Sequence, residues 1–288
     1  MTANPAQSVS RPPALPLAFS TLACPGATLA AAAELGAATG YQGIELRLID
    51  GELIDPAMPP DARAQVKSIT DAAGLPIVAV DSSIRLTADG AAAQLAAFLE
   101  LAADWDAPLV RVFGGPLPAA TADPAARREA LDRAARVLDA AAPAARRLGV
   151  AIGVETHDDF SASATVAELL ALVAPGVIGA VWDSHHPHKA GETPAQVRAN
   201  LGDRILLAQV KDARRAPERD DGWQLVLLGE GEVAVREMLA ELAAARYPGW
   251  VSVEWEKRWH PEIEPPEVAL PQHHRLLTQW IAELQEAQ

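Results

Sequence analysis

Residues 150–157 read VAIGVETH, a short, mostly apolar segment that ends with a carboxylate and an imidazole. Apolar residues recur with a helical period on both sides of it, at 124–148 and at 165–173. A short apolar strand between longer helical segments is the repeating unit of parallel βα proteins. The number of such units along the chain therefore predicts the fold.

Eight such units follow one another from residue 15 onward. The predicted strands are LPLAFSTL (15–22), GIELRL (43–48), PIVAVDSSI (76–84), PLVRVFGG (108–115), VAIGVETH (150–157), IGAVWDSHH (178–186), ILLAQVKD (205–212) and WVSVEWE (250–256). The predicted helices lie near 27–39, 57–73, 89–104, 124–148, 165–173, 193–201, 233–246 and 268–287. This pattern predicts an α/β fold, a single (β/α)₈ TIM barrel with its functional groups at the C-terminal ends of the strands.

An open, doubly wound sheet is the alternative fold. It would place a glycine-rich phosphate loop after the first strand, but STLACPGAT (20–28) stands there instead. No stretch resembles a linker between domains, so we predict one barrel domain over residues 15–288. Residues 1–14 are rich in proline, alanine and serine, and we predict that they form a disordered N-terminal tail.

The charge balance of the chain limits its partners. Lys and Arg together number 24 against 38 Asp and Glu, which gives a net charge of −14. This charge disfavours nucleic acids and anionic membranes as partners, and no uninterrupted run of 18 apolar residues is present to span a bilayer. Cys24 is the only cysteine, so no intramolecular disulfide can form and a cytoplasmic location is expected.

Polar side chains interrupt the apolar pattern in the last four predicted strands. Successive strand residues point to opposite faces, so the apolar set marks the helix-facing side and the other set faces the barrel interior. This parity places the following residues inside: Glu155 and His157, Asp183, Gln209 and Lys211, and Glu254. Each lies at or near the C-terminal end of its strand, where barrel active sites form.

Three of these carboxylates and the amide of Gln209 would converge from four consecutive strands. Such a group of oxygens repels itself unless a cation lies between them. We therefore predict a divalent metal site in which oxygen ligands favour Mg²⁺ or Mn²⁺, while a histidine ligand would broaden the choice to Co²⁺ or Zn²⁺. The alternative is that these groups pair with one another and with nearby Arg or Lys side chains.

The motifs ETH (155–157), WDSHH (182–186), QVKD (209–212) and VEWE (253–256) resemble those of the xylose-isomerase-like barrels. This group contains sugar phosphate isomerases and epimerases, ketose 3-epimerases, inosose and dehydroshikimate dehydratases and, more distantly, apurinic endonucleases. The resemblance covers about residues 15–287 and implies that Glu155, Asp183, Gln209 and Glu254 are the metal ligands. It also implies that His186, three residues after Asp183, contacts the substrate.

One position departs from the pattern of the ketose 3-epimerases, which usually carry histidine where this chain has Gln209. A glutamine ligand is familiar among the dehydratase-like members. An amide oxygen is a harder ligand than imidazole, so Gln209 shifts the metal preference toward Mg²⁺ or Mn²⁺. It also makes dehydration more plausible relative to epimerisation.

The resemblance implies a divalent-metal-dependent isomerase or epimerase that acts on a small polyhydroxylated or keto-sugar substrate. Glu155 and Glu254 would transfer a proton at the carbon next to a carbonyl through a metal-stabilised enediolate, with His186 as a further catalytic residue. The alternative is a dehydratase or lyase acting on an inosose, a dehydroshikimate-like compound or a 3-keto sugar. A non-catalytic carbohydrate-binding barrel is a minor alternative, and homo-oligomers are common among related barrels.

Five further residues are candidates for substrate binding. Glu45, Arg111 and His157 face the interior by parity, Lys211 follows Gln209 by two residues, and Arg215 lies in the next loop. The inward charged residues could instead form an ion-pair network at the floor of the barrel. The surface run ARRAPERDD (213–221), which contains Arg215, could equally be a solvated loop.

Overall fold

The computed structural model describes residues 15–286, so the predicted N-terminal tail, residues 1–14, lies outside the described residues. Within the described part of the chain, no helix is both long enough and apolar enough to cross a bilayer. No cis peptide bond occurs in this range.

Strands and helices alternate along the chain. The strands are β1 (Leu17–Ser20), β2 (Gly43–Leu46), β3 (Leu48–Ile49), β4 (Glu52–Leu53), β5 (Ile77–Arg85), β6 (Leu109–Phe113), β7 (Ala151–Glu155), β8 (Ile178–Asp183), β9 (Ile205–Val210), β10 (Asp212–Arg215), β11 (Trp223–Val226) and β12 (Trp250–Val253). The helices are α1 (Leu29–Thr39), α2 (Pro60–Ala72), α3 (Ala91–Asp104), α4 (Pro124–Leu148), α5 (Ser163–Leu170), α6 (His185–Lys189), α7 (Pro194–Leu201), α8 (Val235–Ala244) and α9 (Pro266–Glu286).

Eight of the strands close into a barrel in the order β1-β12-β9-β8-β7-β6-β5-β2, and β2 pairs with β1 to complete the ring. All neighbouring pairs in the ring are parallel. This closed parallel ring with helices between successive strands is a single (β/α)₈ TIM barrel, which confirms the predicted fold.

Strand parity separates an inner core from an outer core. Ala79, Leu109, Val181 and Leu207 form a small apolar cluster inside the barrel, while a much larger cluster joins the outer strand faces to the helices. The helix-facing residues predicted for β7 lie in that larger cluster, as expected. On β9 the alternation predicts that Leu206, Ala208 and Val210 face the helices. Leu206 instead packs against the interior cluster, where the register between β8 and β9 is irregular.

The predicted helices all form, and two of their starts have clear local causes. Asp123 caps α4 by accepting a hydrogen bond from the Ala126 amide at 2.9 Å, and a proline follows it in the first turn. Thr193 and Gln196 form a capping box at the start of α7. The sequence pattern missed the short helix α6 and the hairpins β3–β4 and β10–β11, which are too short to produce a periodic signal.

The β10–β11 hairpin is tied to the barrel at its base by Asp212. This buried carboxylate accepts hydrogen bonds from four backbone amides, those of Ala213 (2.8 Å), Gly229 (2.8 Å), Gly231 (3.0 Å) and Val233 (3.1 Å). A Cβ at Gly231 would lie 2.1 Å from Asp212 Oδ1, so the close approach of this backbone requires glycine. The Asp212 carboxylate therefore binds the backbone on both sides of the hairpin, where the hairpin begins and after it ends.

Helix α1 packs very closely against the barrel at Gly36, which gives a stability prediction. A Cβ at Gly36 would lie 2.0 Å from Cε1 of the buried Phe19 ring on β1. We expect Gly36→Ala to reduce the free energy of unfolding by about 1–3 kcal/mol, because the ring has no space to retreat. The matched control is Gly26→Ala, since a Cβ there meets nothing within 4 Å.

Urea unfolding of both variants tests this packing. The control is expected to change the free energy of unfolding by less than about 0.5 kcal/mol. Equal stabilities for the two variants would contradict the close contact between α1 and β1.

Candidate metal and substrate site

The four side chains predicted as metal ligands lie at the C-terminal end of the barrel. Glu155 ends β7, Asp183 ends β8, Gln209 lies near the end of β9, and Glu254 follows β12 directly. All four are buried. The register pairs Asp183 with Gln209, and Gln209 pairs with Ser252 on the other side. One oxygen each from Glu155, Asp183 and Glu254 lies within 4.8 Å of the other two.

The backbone after β8 fixes the orientation of Asp183. Its Oδ1 accepts hydrogen bonds from the amides of His185 at 2.8 Å and His186 at 3.0 Å. Its own amide donates to Thr156 Oγ1 at 3.0 Å. The other oxygen, Oδ2, accepts no hydrogen bond and is buried in the group formed by Glu155, Asp183, Gln209 and Glu254, which we call the cage. The short helix α6 thus holds the carboxylate in place through backbone groups alone.

Lys211 inserts its ammonium group among three carboxylates. Its Nζ lies 3.1 Å from Asp183 Oδ2 and 2.5 Å from Glu254 Oε2, and it also donates to Glu256. Burial alone would lower the pKa of Lys211, but Asp183, Glu254 and Glu256 outweigh it and raise that pKa well above its usual value. Lys211 therefore stays charged inside the barrel.

Gln209 has an amide with one satisfied end and one unsatisfied end. Its Nε2 donates to Glu45 Oε1 at 2.6 Å and to Glu254 Oε1 at 3.3 Å. Its Oε1 is buried and has no hydrogen-bond partner among the described residues. Leaving a buried amide oxygen without a partner reduces stability by about 1–3 kcal/mol. A bound cation would provide such a partner for Gln209 Oε1.

Arg111 pairs with carboxylates on both of its sides. Its Nη2 lies 3.2 Å from Asp81 Oδ2 and its Nε lies 2.9 Å from Glu155 Oε2. It also donates to the Ser82 carbonyl at 2.8 Å and its guanidinium lies over the Phe113 ring, 4.2 Å from the centroid. These contacts lock the side chain in one conformation against β5 and β7.

Burial dominates the titration of the inward carboxyl groups. It raises the pKa of Glu155 to about 8, with Arg111 opposing the rise, and it raises the pKa of Asp183 to about 6, with Lys211 opposing. Burial also raises the pKa of Glu45 well above its usual value, and the negative charges of Asp81 and Glu254 add to that effect. In the absence of a bound cation, the cage therefore holds protons near neutral pH.

Two histidines lie next to Glu155, on the side of the cage toward α6. The rings of His157 and His186 are 4.3 Å apart, and one atom of each lies within 4.8 Å of a Glu155 oxygen. His157 Nδ1 bonds to Asp158 Oδ1 at 2.9 Å, whereas His186 Nε2 is buried with no hydrogen-bond partner in the described range. Burial lowers the pKa of His186 well below its usual value, and Lys211 adds to this, so its imidazole is neutral.

The donor set fits a divalent cation. Three buried carboxylates have oxygens within 4.8 Å of one another, and Gln209, the register partner of Asp183, adds a buried, unpaired amide oxygen. Oxygen donors of this kind suit Mg²⁺ or Mn²⁺, and a neutral histidine nearby would widen the choice to Co²⁺ or Zn²⁺. The residues that would hold such an ion are Glu155, Asp183, Gln209 and Glu254. In this structure the three carboxylates pair with basic side chains, as the alternative prediction held: Glu155 with Arg111, and Asp183 and Glu254 with Lys211.

The structure places the remaining candidates in different environments. Glu45, Arg111 and Lys211 contact the cage residues directly. Arg215 does not, because it lies exposed on β10 with its guanidinium 4.7 Å from the Trp223 ring. Trp223 separates Arg215 from His185, whose ring packs on it at 5.2 Å.

Two further carboxylates, Asp81 and Glu256, contact Arg111 and Lys211 beside the cage and were not predicted as site residues. Asp81 shares the inward parity of Ala79 on β5, so the alternation that identified Glu155 could have identified it as well. Glu256 shares the face of Glu254 in sequence, but its contact with Lys211 forms after β12 has ended. No strand pattern predicts that second contact.

The chain matches one protein family and many solved structures. The family described as xylose isomerase-like TIM barrel matches residues 29–280 of this chain. No curated protein sequence matches the chain.

Solved structures with the same architecture cover nearly the whole chain. A probable 3-DHS dehydratase, AsbF, involved in petrobactin synthesis from Bacillus anthracis has a TM-score of 0.74 and 17% identity, over 92% of this chain and 99% of that one. A D-tagatose 3-epimerase-like protein has a TM-score of 0.74 and 18% identity, over 95% of this chain and 99% of that one. A xylose isomerase-like TIM barrel protein from Mycobacterium smegmatis in complex with magnesium has a TM-score of 0.67 and 14% identity, over 94% and 98%. At these identities the similarity is one of fold.

Proposed function

Since this chain belongs to the xylose isomerase-like TIM barrel family, we propose that it is a metal-dependent isomerase or epimerase of a small, polyhydroxylated keto-sugar. The observation that carries the proposal is the buried cage, in which Glu155, Asp183 and Glu254 bring oxygens within 4.8 Å of one another and Gln209 has an unpaired Oε1. A non-catalytic binding barrel would not need two carboxylates that can exchange protons inside a cage of this kind. The single cysteine, which is buried, is consistent with a cytoplasmic enzyme.

The proposed chemistry is proton transfer at the carbon next to a carbonyl. A bound Mg²⁺ or Mn²⁺ would supply a Lewis acid that stabilises the negative charge developing on the carbonyl oxygen. Glu155 ends β7 and Glu254 follows β12, and these strands are separated in the barrel by β8 and β9, so the two carboxylates approach the site from two different sides. One of them takes the proton from carbon and the other returns it, either to the same carbon or to its neighbour.

The remaining side chains bind and orient the substrate in this proposal. His186 and His157 face the Glu155 side of the cage and contact substrate hydroxyl groups. Lys211 keeps a positive charge beside Glu254, and Arg111 holds Glu155 in place. Arg215 lies on the outer hairpin and would meet only a substrate that extends beyond the cage.

Dehydration is the second candidate, and Gln209 is the observation that favours it. A glutamine stands at the position where ketose 3-epimerases usually carry histidine. In a dehydratase the same carboxylates would remove the proton next to the carbonyl and protonate a β-hydroxyl, which leaves as water. The substrate would then be an inosose, a dehydroshikimate-like compound or a 3-keto sugar.

Proton exchange in D₂O tests both candidates. The purified protein is incubated with ketoses, inososes, 3-dehydroshikimate and 3-keto glucosides in the presence of Mg²⁺, or of Mn²⁺ that is removed before the NMR spectrum is recorded. We expect deuterium to enter next to the carbonyl of one substrate class. An inverted or shifted carbonyl in the product identifies the isomerase or epimerase, and loss of water identifies the lyase.

Metal removal provides the control for this assay. We expect exhaustive treatment with EDTA to reduce the exchange rate by about 100-fold or more, and Mn²⁺ or Mg²⁺ to restore it. Elemental analysis of the purified protein identifies the ion. Full activity after exhaustive metal removal, or no exchange with any substrate of the panel, would contradict the proposed function.

A further inference from the structure

Glu45 contacts the cage through Gln209, and each of its carboxylate oxygens accepts a hydrogen bond from the protein. It lies near the end of β2, is fully buried, and reaches Gln209 across the barrel interior. Its Oε1 accepts the hydrogen bond from Gln209 Nε2 at 2.6 Å, and its Oε2 accepts one from the Ser252 hydroxyl. Both oxygens are therefore used by the protein itself.

The contact with Glu45 decides which end of the Gln209 amide faces the cage. An amide side chain can present its oxygen or its NH₂ group by rotating half a turn, and only the oxygen binds a cation. Glu45 Oε1 and Glu254 Oε1 are both acceptors, and they lie on the NH₂ side of the amide. An oxygen turned toward these two acceptors would be repelled while they are ionised, the state that a nearby cation favours, so Oε1 is left as the unpaired buried atom.

We infer that Glu45 is a positioning residue, which fixes the Gln209 amide with its oxygen toward the metal, and that Ser252 fixes Glu45 in turn. The inference rests on the proposed metal site. Glu45 was predicted above as a candidate for substrate binding. In this inference it orients Gln209 and does not contact the substrate. Ser252 is well suited to this support, because it is fully buried and is the register partner of Gln209 on the neighbouring strand. Groups that orient a metal ligand typically change metal affinity by about 10- to 100-fold when they are removed.

Binding of Mn²⁺ to the metal-free protein, measured by calorimetry, tests this arrangement without an activity assay. Four proteins are compared in a double-mutant cycle: the wild type, Glu45→Leu, Gln209→Leu and the variant that carries both substitutions. We expect Glu45→Leu to raise the Kd for Mn²⁺ by about 10- to 100-fold. The double variant should bind no more weakly than Gln209→Leu, because Glu45 acts only through the amide.

Two milder variants keep the test decisive if Glu45→Leu does not fold. Glu45→Gln retains an acceptor oxygen, and we expect its Kd to stay within about 10-fold of the wild type. Ser252→Ala frees Glu45 Oε2, and we expect it to raise the Kd about 3-fold or more in the wild-type background but not in Gln209→Leu. Thermal unfolding in EDTA verifies that each protein is folded before binding is measured.

The outcomes separate this inference from the proposed function. A wild-type protein that does not bind Mn²⁺ overturns the proposed function and the role of Glu45 together. A wild type that binds Mn²⁺, with Glu45→Leu and Ser252→Ala unchanged in Kd, overturns only the role of Glu45. Fully additive losses in the cycle would also overturn it, because they would mean that Glu45 affects the site without Gln209.

Discussion

Glu254→Gln is expected to lower the rate of proton exchange by about 10³-fold or more at saturating Mn²⁺. The substitution keeps the volume of the side chain but removes its charge and its ability to take a proton. It also removes a negative partner of Lys211, whose Nζ lies 2.5 Å from Glu254 Oε2. Loss of the carboxylate therefore affects both the cation site and the proton transfer.

The matched control is Glu262→Gln, which changes a carboxylate on the exposed loop before α9. Glu262 lies at the surface, where it pairs with Arg219 and lies 3.7 Å from His260 Nδ1, and it has no ion pair with a cage residue. We expect the exchange rate of the variant to stay within about 2-fold of the wild type, because exposed ion pairs contribute little. Measuring the Mn²⁺ Kd of Glu254→Gln separates weaker binding from slower chemistry. An exchange rate within 10-fold of the wild type at saturating Mn²⁺, as a rough threshold, would remove Glu254 from the proton-transfer step.

Lys211→Met is expected to reduce the free energy of unfolding by about 3–5 kcal/mol in EDTA at neutral pH. The ammonium group is buried and is the shared partner of Asp183, Glu254 and Glu256. Without it, these carboxylates face one another with no counter-ion or must take up protons to fold. A bound cation would replace the missing charge, so we expect the loss to be clearly smaller in the presence of Mn²⁺.

Urea unfolding with EDTA and with Mn²⁺ measures both effects, and Lys189→Met is the control. Lys189 pairs with Asp221 at 3.3 Å with both side chains partly exposed, so its loss should cost less than about 1 kcal/mol under either condition. A loss below about 1 kcal/mol for Lys211→Met in EDTA would mean that the carboxylates do not depend on this ammonium group.

The barrel and the inward position of the proposed metal ligands could be predicted because they depend on a period of two. Val154 and Glu155 differ by one position, and that difference alone puts one side chain against the helices and the other in the interior. The register of β8, β9 and β12 then brings Asp183, Gln209 and Ser252 side by side. Local alternation and a closed ring are sufficient for this part of the site.

The partners of these side chains could not be predicted in the same way. Parity places Glu45 and Gln209 in the interior, but their contact joins residues 164 positions apart on strands that are not neighbours in the ring. The position of Arg215 depends on the β10–β11 hairpin, whose polar sequence resembles a solvated loop. Its geometry is decided by the buried Trp223 and by Asp212, both of which act through tertiary contacts.

The contacts of Asp212 have a consequence for how this protein could change over evolution. The Asp212 carboxylate binds the backbone at both ends of the segment between Ala213 and Gly229. The length and sequence of this segment can therefore vary while the barrel strands keep their positions. The outer hairpin could thus be replaced while the proposed metal site at the end of the barrel stays unchanged. New substrates could be accommodated by exchanging that hairpin, in nature or by loop grafting, provided that Asp212 and Gly231 are retained.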